Sequence, residues 1–170
     1  MVTNIEAWID ADTGLMWEIK TKENIEYEYV WSKEWIEEWI EEALSPEDLT
    51  DDFSYLFKYI DHIDSIQFIK DDIKDAFSYS QKLNKKNYAG FSNWRVPTLE
   101  ELETLLTEET NNDLYIKYPL SKNTASNVYW SSTTNAYSTG GAWIVYFSNG
   151  LQGTYNKAHS YYVRCVRAGQ

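Results

Sequence analysis

The sequence is poor in the residues that build covalent or metal-held scaffolds. Cys165 is the only cysteine among 170 residues, and there are two histidines. A single thiol cannot form an intramolecular disulfide, and it excludes a metal site made of several thiolates. We expect Cys165 to be a small buried apolar residue, because free cysteine is often buried.

Long apolar runs are also missing. No stretch approaches the roughly 18 apolar residues of a membrane span. The first residues, MVTNIEAWIDADTG, lack the basic and apolar regions of a signal peptide. We therefore expect that the protein is synthesised in the cytoplasm and does not insert into a membrane. We expect it to reach a virion or cell surface only through a partner.

Acidic residues are nearly absent from the C-terminal third. Of the 27 acidic residues, 26 precede residue 111 and only Asp113 follows; the 15 basic residues divide 10 and 5. The first 110 residues therefore carry a charge of −16 and the last 60 carry +4. The overall charge of −12 and the lack of basic stripes exclude a typical nucleic-acid-binding protein.

The first hundred residues show two periodicities. Two short strands around a turn are predicted from Trp8 and Ile9, the turn residues DADTG, and Leu15, Met16 and Trp17. From Trp31 the spacing becomes helical, and Ser32 is a candidate N-cap. The apolar face of this first helix consists of Trp35, Ile36, Trp39, Ile40, Ala43 and Leu44.

Three more helices are predicted. A second helix starts at Ser45-Pro46 and carries Leu49, Phe53, Phe57 and Ile60. A third carries Ile66, Ile69, Ile73, Phe77 and Leu83 on one face and ends near Lys85-Lys86. The fourth starts at a capping box formed by Thr98 and Glu101 and carries Leu102, Leu105 and Leu106.

Beyond Asn111 the apolar period changes to two. The alternation predicts strands over 143–147 and 163–166, and clusters of Asn, Ser, Thr and Gly predict loops over 134–141 and 148–160. The chain is thus predicted to be one α+β domain, residues 1–170, with an antiparallel sheet.

Several motifs occur in a recognisable order. They are D-x-x-T-G-L-M-W at 10–17, GFSNWRVPT at 90–98, Glu100-Glu101-Leu102, YWSST at 129–133, Ala142-Trp143, Phe147-x-Asn149-Gly150 and VRCVR at 163–167. Together they resemble the Lcl C-terminal domain family, a branch of the C-type-lectin-like folds. The resemblance covers about residues 5–20 and 69–168, which implies that the acidic stretch 21–68 is a helical insertion.

The resemblance also implies a type of function. Members of the family are similar to adhesin modules that bind sulfated glycans or other surface ligands, often as trimers. Some resemble the variable proteins of diversity-generating retroelements. In those proteins the DNA that encodes the C-terminal loops is changed by mutagenic copying at adenines. The chain departs from many members at 78–80, where Ser-Tyr-Ser replaces a helix cysteine that could pair with the C-terminal one.

The loop composition indicates ligand binding. Tyrosine supplies rigid contact area, while Ser, Asn and Gly supply adaptable hydrogen bonds. A surface without carboxylates also avoids the cost of desolvating them against a partner. We therefore expect a non-enzymatic module without cofactor or metal, which binds a protein or glycan ligand. The candidate residues are Asn135, Tyr137, Ser138, Ser148, Leu151, Gln152, Tyr155, His159 and Ser160.

Large aromatic and cationic residues have two interpretations each. The tryptophans are ligand platforms or, more commonly, core residues; they are Trp94, Trp130 and Trp143. The arginines contact an anionic ligand, or pair internally with Glu100, Glu101 or backbone carbonyls; they are Arg95, Arg164 and Arg167.

Alternatives from other classes remain open. One is a divergent enzyme related to the formylglycine-generating enzymes, whose chemistry uses a pair of cysteines. His62 lies in the helix-forming stretch 53–63 and His159 in a tyrosine-rich loop, so no local motif indicates a metal site or a Ser-His pair. Acidic pairs at 10 and 12 or 71 and 72 could hold calcium, although a turn and a solvated helix face explain them. Another alternative is an assembly protein, including a homo-oligomer, that uses Trp35, Trp39 and Phe53.

Overall fold

A computed structural model describes residues 6–21, 24–25, 27–43 and 74–169. The predicted second helix at 45–60 and the start of the third, 66–73, lie outside these described residues. So do His62, the acidic pair at 71 and 72, and Phe53. The prediction of an assembly surface in this stretch therefore stays a prediction.

The two predicted N-terminal strands are confirmed. They are β1, Ala7–Ile9, and β2, Leu15–Glu18, which pair antiparallel. At the turn between them the Gly14 N–H donates to the Asp10 carbonyl, and Gly14 has a φ of 69°, which glycine adopts without strain. The C-terminal strand β6, Val166–Ala168, pairs with the other side of β2 and completes a three-stranded sheet.

Helix α1, Lys33–Ala43, and helix α2, Ala76–Lys85, both begin at side-chain caps. The predicted N-cap Ser32 is confirmed, since its hydroxyl accepts from the Trp35 N–H at 3.2 Å. The third predicted helix was wrong at residues 74 and 75, which are not helical. The Asp75 carboxylate instead caps α2 by accepting from the N–H groups of Phe77 and Ser78, so the helix starts after it.

The predicted capping box is confirmed at the start of α3, Leu99–Glu103. The Thr98 hydroxyl accepts from the Glu101 N–H, and the Glu101 carboxylate accepts from the Thr98 N–H. The helix ends before Leu105, earlier than the sequence predicted. Short 3₁₀ helices follow α2 at Tyr88–Gly90 and precede the second sheet at Leu120–Asn123.

The second sheet has three antiparallel strands, in the order β3–β4–β5. They are β3, Val128–Thr134, β4, Gly141–Tyr146, and β5, Leu151–Asn156. The prediction of a continuous loop over 148–160 was therefore wrong in its middle. Strand β5 lies at the sheet edge and is exposed on both faces except at Gly153, so no apolar alternation marks it in the sequence.

The strand predicted over 163–166 is displaced toward the C-terminus. Residues 163–165 are not in a strand, and β6 begins at Val166. The reason is a pair of hydrogen bonds between Glu18 and Cys165. The Glu18 carboxylate accepts from the Cys165 N–H at 3.0 Å, and the Glu18 N–H donates to the Cys165 carbonyl at 3.0 Å. Side-chain bonding thus replaces part of the strand ladder.

Glu18 is the centre of a buried polar network. Its Oε1 accepts a hydrogen bond from the Tyr79 hydroxyl on α2 and lies 3.1 Å from Lys20 Nζ. The same hydroxyl accepts from Lys20 Nζ at 3.0 Å and from the Asn24 amide at 3.1 Å. The network thereby joins the first sheet to α2 and to the segment at Cys165.

Two apolar clusters lie on the two faces of the second sheet. One contains Trp130 and Ile144, and the other contains Tyr129, Val145 and Phe147. Opposite residues in antiparallel strands share a face, so each face of β3–β4 anchors one cluster. The predicted α+β class is confirmed, and the arrangement is compatible with a C-type-lectin-like fold.

Candidate functional site

The predicted site residues fall at the two ends of the second sheet. The β3–β4 connection, residues 135–140, lies at the end where Gly141 is opposite Asn156. The β4–β5 connection, residues 147–150, lies at the other end, where Tyr146 is opposite Leu151. At about 3.4 Å per residue, the ends of β4 are roughly 17 Å apart. The nine residues therefore line one strand and its ends and do not form one compact pocket.

All nine residues reach the surface. Eight are exposed and Asn135 is half-buried. The Tyr137 side chain is 100% exposed, whereas Leu151 is 59% and Tyr155 is 37% exposed. One end carries Asn135, Tyr137, Ser138, Tyr155, His159 and Ser160, and the other carries Ser148, Leu151 and Gln152.

Three aromatic rings surround Tyr155. Its hydroxyl lies 2.8 Å from that of Tyr146, and its ring makes edge contacts with Tyr161 at 5.1 Å and with His159 at 6.1 Å. His159 and Tyr161 are stacked at 10°. Tyr161 in turn packs on the buried Trp130 at 5.1 Å. The cluster is thus an outward continuation of the core, held in place from below.

The hydroxyl groups of Tyr146 and Tyr161 stay neutral. Burial, followed by the hydrogen bond with Tyr155, raises the pKa of Tyr146 to about 12. Burial, followed by the proximity of Tyr155, also raises the pKa of Tyr161. Neutral phenols both donate and accept hydrogen bonds. The surface therefore offers aromatic area with polar groups at its edge.

Gly153 leaves a notch in the middle of β5. It lies on the same face as Leu151 and Tyr155, opposite Ile144. A Cβ atom at Gly153 would lie 3.6 Å from Ile144 Cδ1 and 3.8 Å from Tyr146 Cε2. The side chains of Ile144 and Tyr146 form an apolar surface at the base of the notch, between the exposed side chains of Leu151 and Tyr155.

The only charged residue in 123–163 is withdrawn from this surface. Lys157 is 4% exposed, and its Nζ lies 3.9 Å from the ring centroid of Trp31 and 5.7 Å from that of Trp35. Burial lowers the pKa of Lys157. The Trp31 indole N–H donates to the Ser131 carbonyl at 2.8 Å, which fixes the ring against β3. The second sheet therefore presents no exposed charge.

Comparison with known families identifies the family to which the chain is similar. The Lcl C-terminal domain matches residues 6–167, nearly the whole chain. The chain belongs to the Lcl C-terminal domain family. No curated protein matches it.

In this Lcl C-terminal domain the arginines pair internally. Arg95 forms a bidentate pair with Glu101, with both N···O distances at 2.6 Å. Arg164 is buried and donates to the carbonyls of Glu18 and Asn123. Arg167 is also buried; it donates to the Asn93 side chain and lies over the Phe91 ring. The internal-pairing interpretation is confirmed for Arg95 and Arg164, whereas Arg167 bonds, among the described residues, to an amide side chain and not to an acid or a backbone carbonyl.

The tryptophans largely belong to the core of the Lcl C-terminal domain. Trp94 and Trp130 are buried, as the core interpretation predicted, and Trp143 is half-buried. The indole N–H of Trp94 donates to the Tyr88 carbonyl and that of Trp130 donates to the Tyr29 carbonyl. Neither Trp94 nor Trp130 is available as a ligand platform.

The acidic turn at 10 and 12 already has a cation. Lys117 Nζ lies 3.0 Å from Asp10 Oδ2 and 2.9 Å from Asp12 Oδ2. Burial alone would raise the pKa of Asp10, but hydrogen bonds from Lys117 and Thr13 lower it. Within the described ranges, no group of three or more His, Cys, Asp or Glu residues could hold a metal ion.

The remaining candidate for chemistry in the domain is the cysteine. Cys165 is buried, and burial raises the pKa of its thiol well above its usual range, with Glu18 adding to the effect. The thiol is therefore protonated. In the part of the chain that the structure describes, no helix has the length and apolar character to cross a bilayer.

Sequence reasoning missed several residues at this surface. Tyr146 and Tyr161 complete the aromatic cluster, and Gly153 creates the notch. The Trp31 ring covers Lys157, which is the last charged residue near this surface, although the two residues are far apart in sequence. The signal in the sequence was the density of tyrosines over 146–162, but their pairing depends on the β4–β5 register.

Proposed function

We propose that this member of the Lcl C-terminal domain family is a non-enzymatic recognition module. Its ligand-binding surface is the recognition face, defined here as the outer edge of the second sheet with the residues Tyr137, Ser138, Leu151, Gln152, Tyr155 and His159. The ligand is a protein or a glycan. The module encounters this ligand when a partner protein displays the module on a virion or cell surface.

The observation that carries this proposal is the absence of exposed charge on the second sheet. The whole chain has a net charge of −12, but residues 123–163 contain a single charged side chain, and Lys157 is buried. Leaving a charge unpaired in an interface costs several kcal/mol, and interface cores are depleted of charge and enriched in tyrosine. A surface that only needed to stay hydrated would have no reason to exclude charge.

The support structure below the recognition face fits the same role. Trp130 and Ile144 are fully buried beneath it, and Tyr161 links Trp130 to Tyr155. Rigid aromatic contact residues lose little conformational entropy on binding. The recognition face can therefore bind without first becoming ordered.

An enzymatic role has less support. The buried, protonated Cys165 lacks the low pKa and access of a nucleophilic cysteine. We expect Cys165→Ser to lower stability without removing any turnover, whereas an enzyme that used this thiol would lose its activity.

The finer form of the proposal is that the recognition face is diversified. Exposed positions in the β3–β4 turn and on β5 lie outside both apolar clusters, so they tolerate substitution. A retroelement would need such positions. The nearby DNA tests this: a near-copy of the segment encoding roughly residues 130–165, differing mainly at adenines, is expected, and the absence of a template would leave an undiversified adhesin-like domain.

The binding role is tested by a pull-down and a glycan array with the intact protein, followed by two variants. Tyr137→Ala and Tyr155→Ala should each weaken the complex by about 1–2 kcal/mol. Tyr27→Ala is the matched control, because Tyr27 is 52% exposed and lines a pocket with Lys74, Asp75 and Lys82, none of which belongs to the recognition face. Equal losses in all three variants would contradict a localised recognition face.

The melting temperature separates binding from folding. Tyr137 is fully exposed, so Tyr137→Ala should leave the melting temperature unchanged. Tyr155→Ala removes contacts with Tyr146, Tyr161 and His159 and should lower it slightly. Tyr155→Phe keeps the ring and loses only the hydroxyl, so it isolates the hydrogen-bonding contribution.

A further inference from the structure

Strand β5 forms the outer edge of the second sheet. It is the last strand in the order β3–β4–β5, and five of its six residues are exposed. No residue in the described ranges pairs with its outer side. A free strand edge presents N–H and C=O groups that can pair with another chain.

The register identifies the backbone groups on that edge. The Lys157 N–H donates to the Gly140 carbonyl, so the backbone of residue 157 faces β4. The Gly141 N–H and carbonyl instead bond to Ser138 and Asn135, away from β5. Because the direction alternates along an antiparallel pair, Gln152 and Thr154 direct their N–H and C=O groups outward.

The usual protections of a strand edge are missing. Natural edges carry lysine, proline, inward charges or a bulge. The β5 sequence LQGTYN has neither charge nor proline, and its six pairs with β4 continue without a shift of register. The edge is therefore competent to accept another strand.

The notch at Gly153 supplies a side-chain position for such a strand. A residue placed opposite Gly153 would have its side chain on the face of Leu151 and Tyr155, above Ile144 and Tyr146. A bulky side chain over a strand glycine covers the space that the missing Cβ leaves. Backbone pairing and one apolar position would then act together, as in other cases of strand addition.

We infer that the ligand is an extended, uncharged polypeptide segment that adds to the outer edge of β5, pairs with Gln152 and Thr154 and places an apolar side chain over Gly153. This inference rests on the proposed function and specifies its ligand. A glycan has no repeating N–H and C=O groups to match the edge. The lack of charge along β5 favours a neutral segment.

A second copy of the chain fits the edge less well. In a two-fold arrangement centred on Gly153, glycine faces glycine and the notch stays empty. A shift in one direction places Tyr155 over the notch, but this ring already contacts Tyr146, Tyr161 and His159. A shift in the other direction would extend the strand pairing to Gly150. The φ of 74° at Gly150 is not an extended conformation, so the strand ends there.

The test uses peptides selected from a random dodecapeptide library displayed on phage, with the intact protein as the target. Thr154→Pro removes one outward N–H without removing a β4 hydrogen bond, and proline is tolerated at such edge positions. Thr154→Val keeps the N–H and is its matched control. Gly153→Val fills the notch, where a Cβ meets only ordinary contacts of 3.6 and 3.8 Å.

The selected peptides are expected to be neutral, with a shared aromatic or large aliphatic residue. Thr154→Pro and Gly153→Val should each weaken their binding at least about tenfold, while Thr154→Val leaves it unchanged. N-methylation along a selected peptide should abolish binding at alternate residues only, because every second N–H faces β5. The N-methyl series and Gly153→Val remain decisive if Thr154→Pro fails to fold.

Other outcomes would overturn the inference. Failure to recover peptides, or peptides insensitive to both substitutions and to N-methylation, would refute strand addition. A dimer in sedimentation that Thr154→Pro dissociates would assign the edge to a second copy. A glycan that binds through Tyr137 or Tyr155 while no peptide binds would refute this inference and leave the proposed function intact, whereas the absence of any ligand would count against both.

Discussion

Removal of one buried hydroxyl should destabilise the whole domain. Tyr79→Phe eliminates the hydroxyl that donates to Glu18 and accepts from Lys20 and Asn24. The charged groups of Glu18 and Lys20 would stay buried with only each other, 3.1 Å apart, and with the Cys165 N–H on Glu18. Phenylalanine restores none of the lost hydrogen bonds.

The magnitude follows from the kinds of bond that are lost. A hydrogen bond to a charged group contributes about 1.5–3 kcal/mol, and a neutral one contributes about 1 kcal/mol. Two of the three bonds involve charged partners, but the remaining Glu18–Lys20 pair offsets part of the loss. We therefore expect the free energy of unfolding to fall by about 2–3 kcal/mol, which corresponds to a melting temperature lower by about 5–10 °C.

Urea unfolding followed by tryptophan fluorescence measures this loss directly, with the m-value as a check that the transition is otherwise the same. The matched control is Tyr137→Phe, in which the same hydroxyl is removed from a fully exposed ring. It should change nothing. A loss below about 0.5 kcal/mol in Tyr79→Phe, within the range of ordinary surface substitutions, would refute the role of the network in joining α2 to the first sheet.

Two further predictions concern local features. Thr98→Ala should lower the free energy of unfolding by about 1 kcal/mol because the Glu101 N–H loses its cap, and Thr98→Ser should restore it; equal stability of both variants in urea would argue against the cap. The folded-state pKa of Asp10 is lowered, so its ionisation contributes stability above its unfolded pKa of about 3.9, and this contribution is lost as the pH falls through the folded value. Lys117→Met should therefore flatten the decline of stability with acid in that window, and an unchanged pH profile would contradict the pairing.

Local signals in the sequence predicted local structure well. The Thr98–Glu101 capping box, the Ser32 cap and the turn before Leu15 each depend on residues within a few positions of one another. The same holds for the end of α2 near Lys85. Short-range hydrogen bonds determine these features, so the residue types are sufficient to predict them.

Features set by tertiary contacts were harder to predict. Periodicity reports burial on one face, and β5 has no buried face, so its sequence reads as a loop. Residues 163–165 alternate like a strand but bond to Glu18, which is distant in sequence. Asp75 falls within an apolar helical pattern, yet its side chain caps α2 and starts the helix after itself.

The composition of the candidate surface is visible in the sequence, but its geometry is not. The tyrosines and the uncharged stretch are visible in the sequence, and the exposure of Tyr137, Tyr155 and His159 agrees with the expectation for contact residues. The pairing of Tyr155 with Tyr146 follows from the hairpin register, which no local signal specified. The withdrawal of Lys157 under Trp31 depends on a contact between residues more than a hundred positions apart.

The most direct test of the recognition face places a charge on it. Titration calorimetry would compare the ligand found by pull-down or array against the wild type, Gln152→Glu, and the control Ser92→Glu, in which the charge is added at an exposed residue of the 91–97 segment. We predict that Gln152→Glu weakens binding by at least about tenfold, since the new carboxylate must be desolvated, and that Ser92→Glu does not change it. Equal affinity of all three proteins would contradict the assignment of the ligand to this surface.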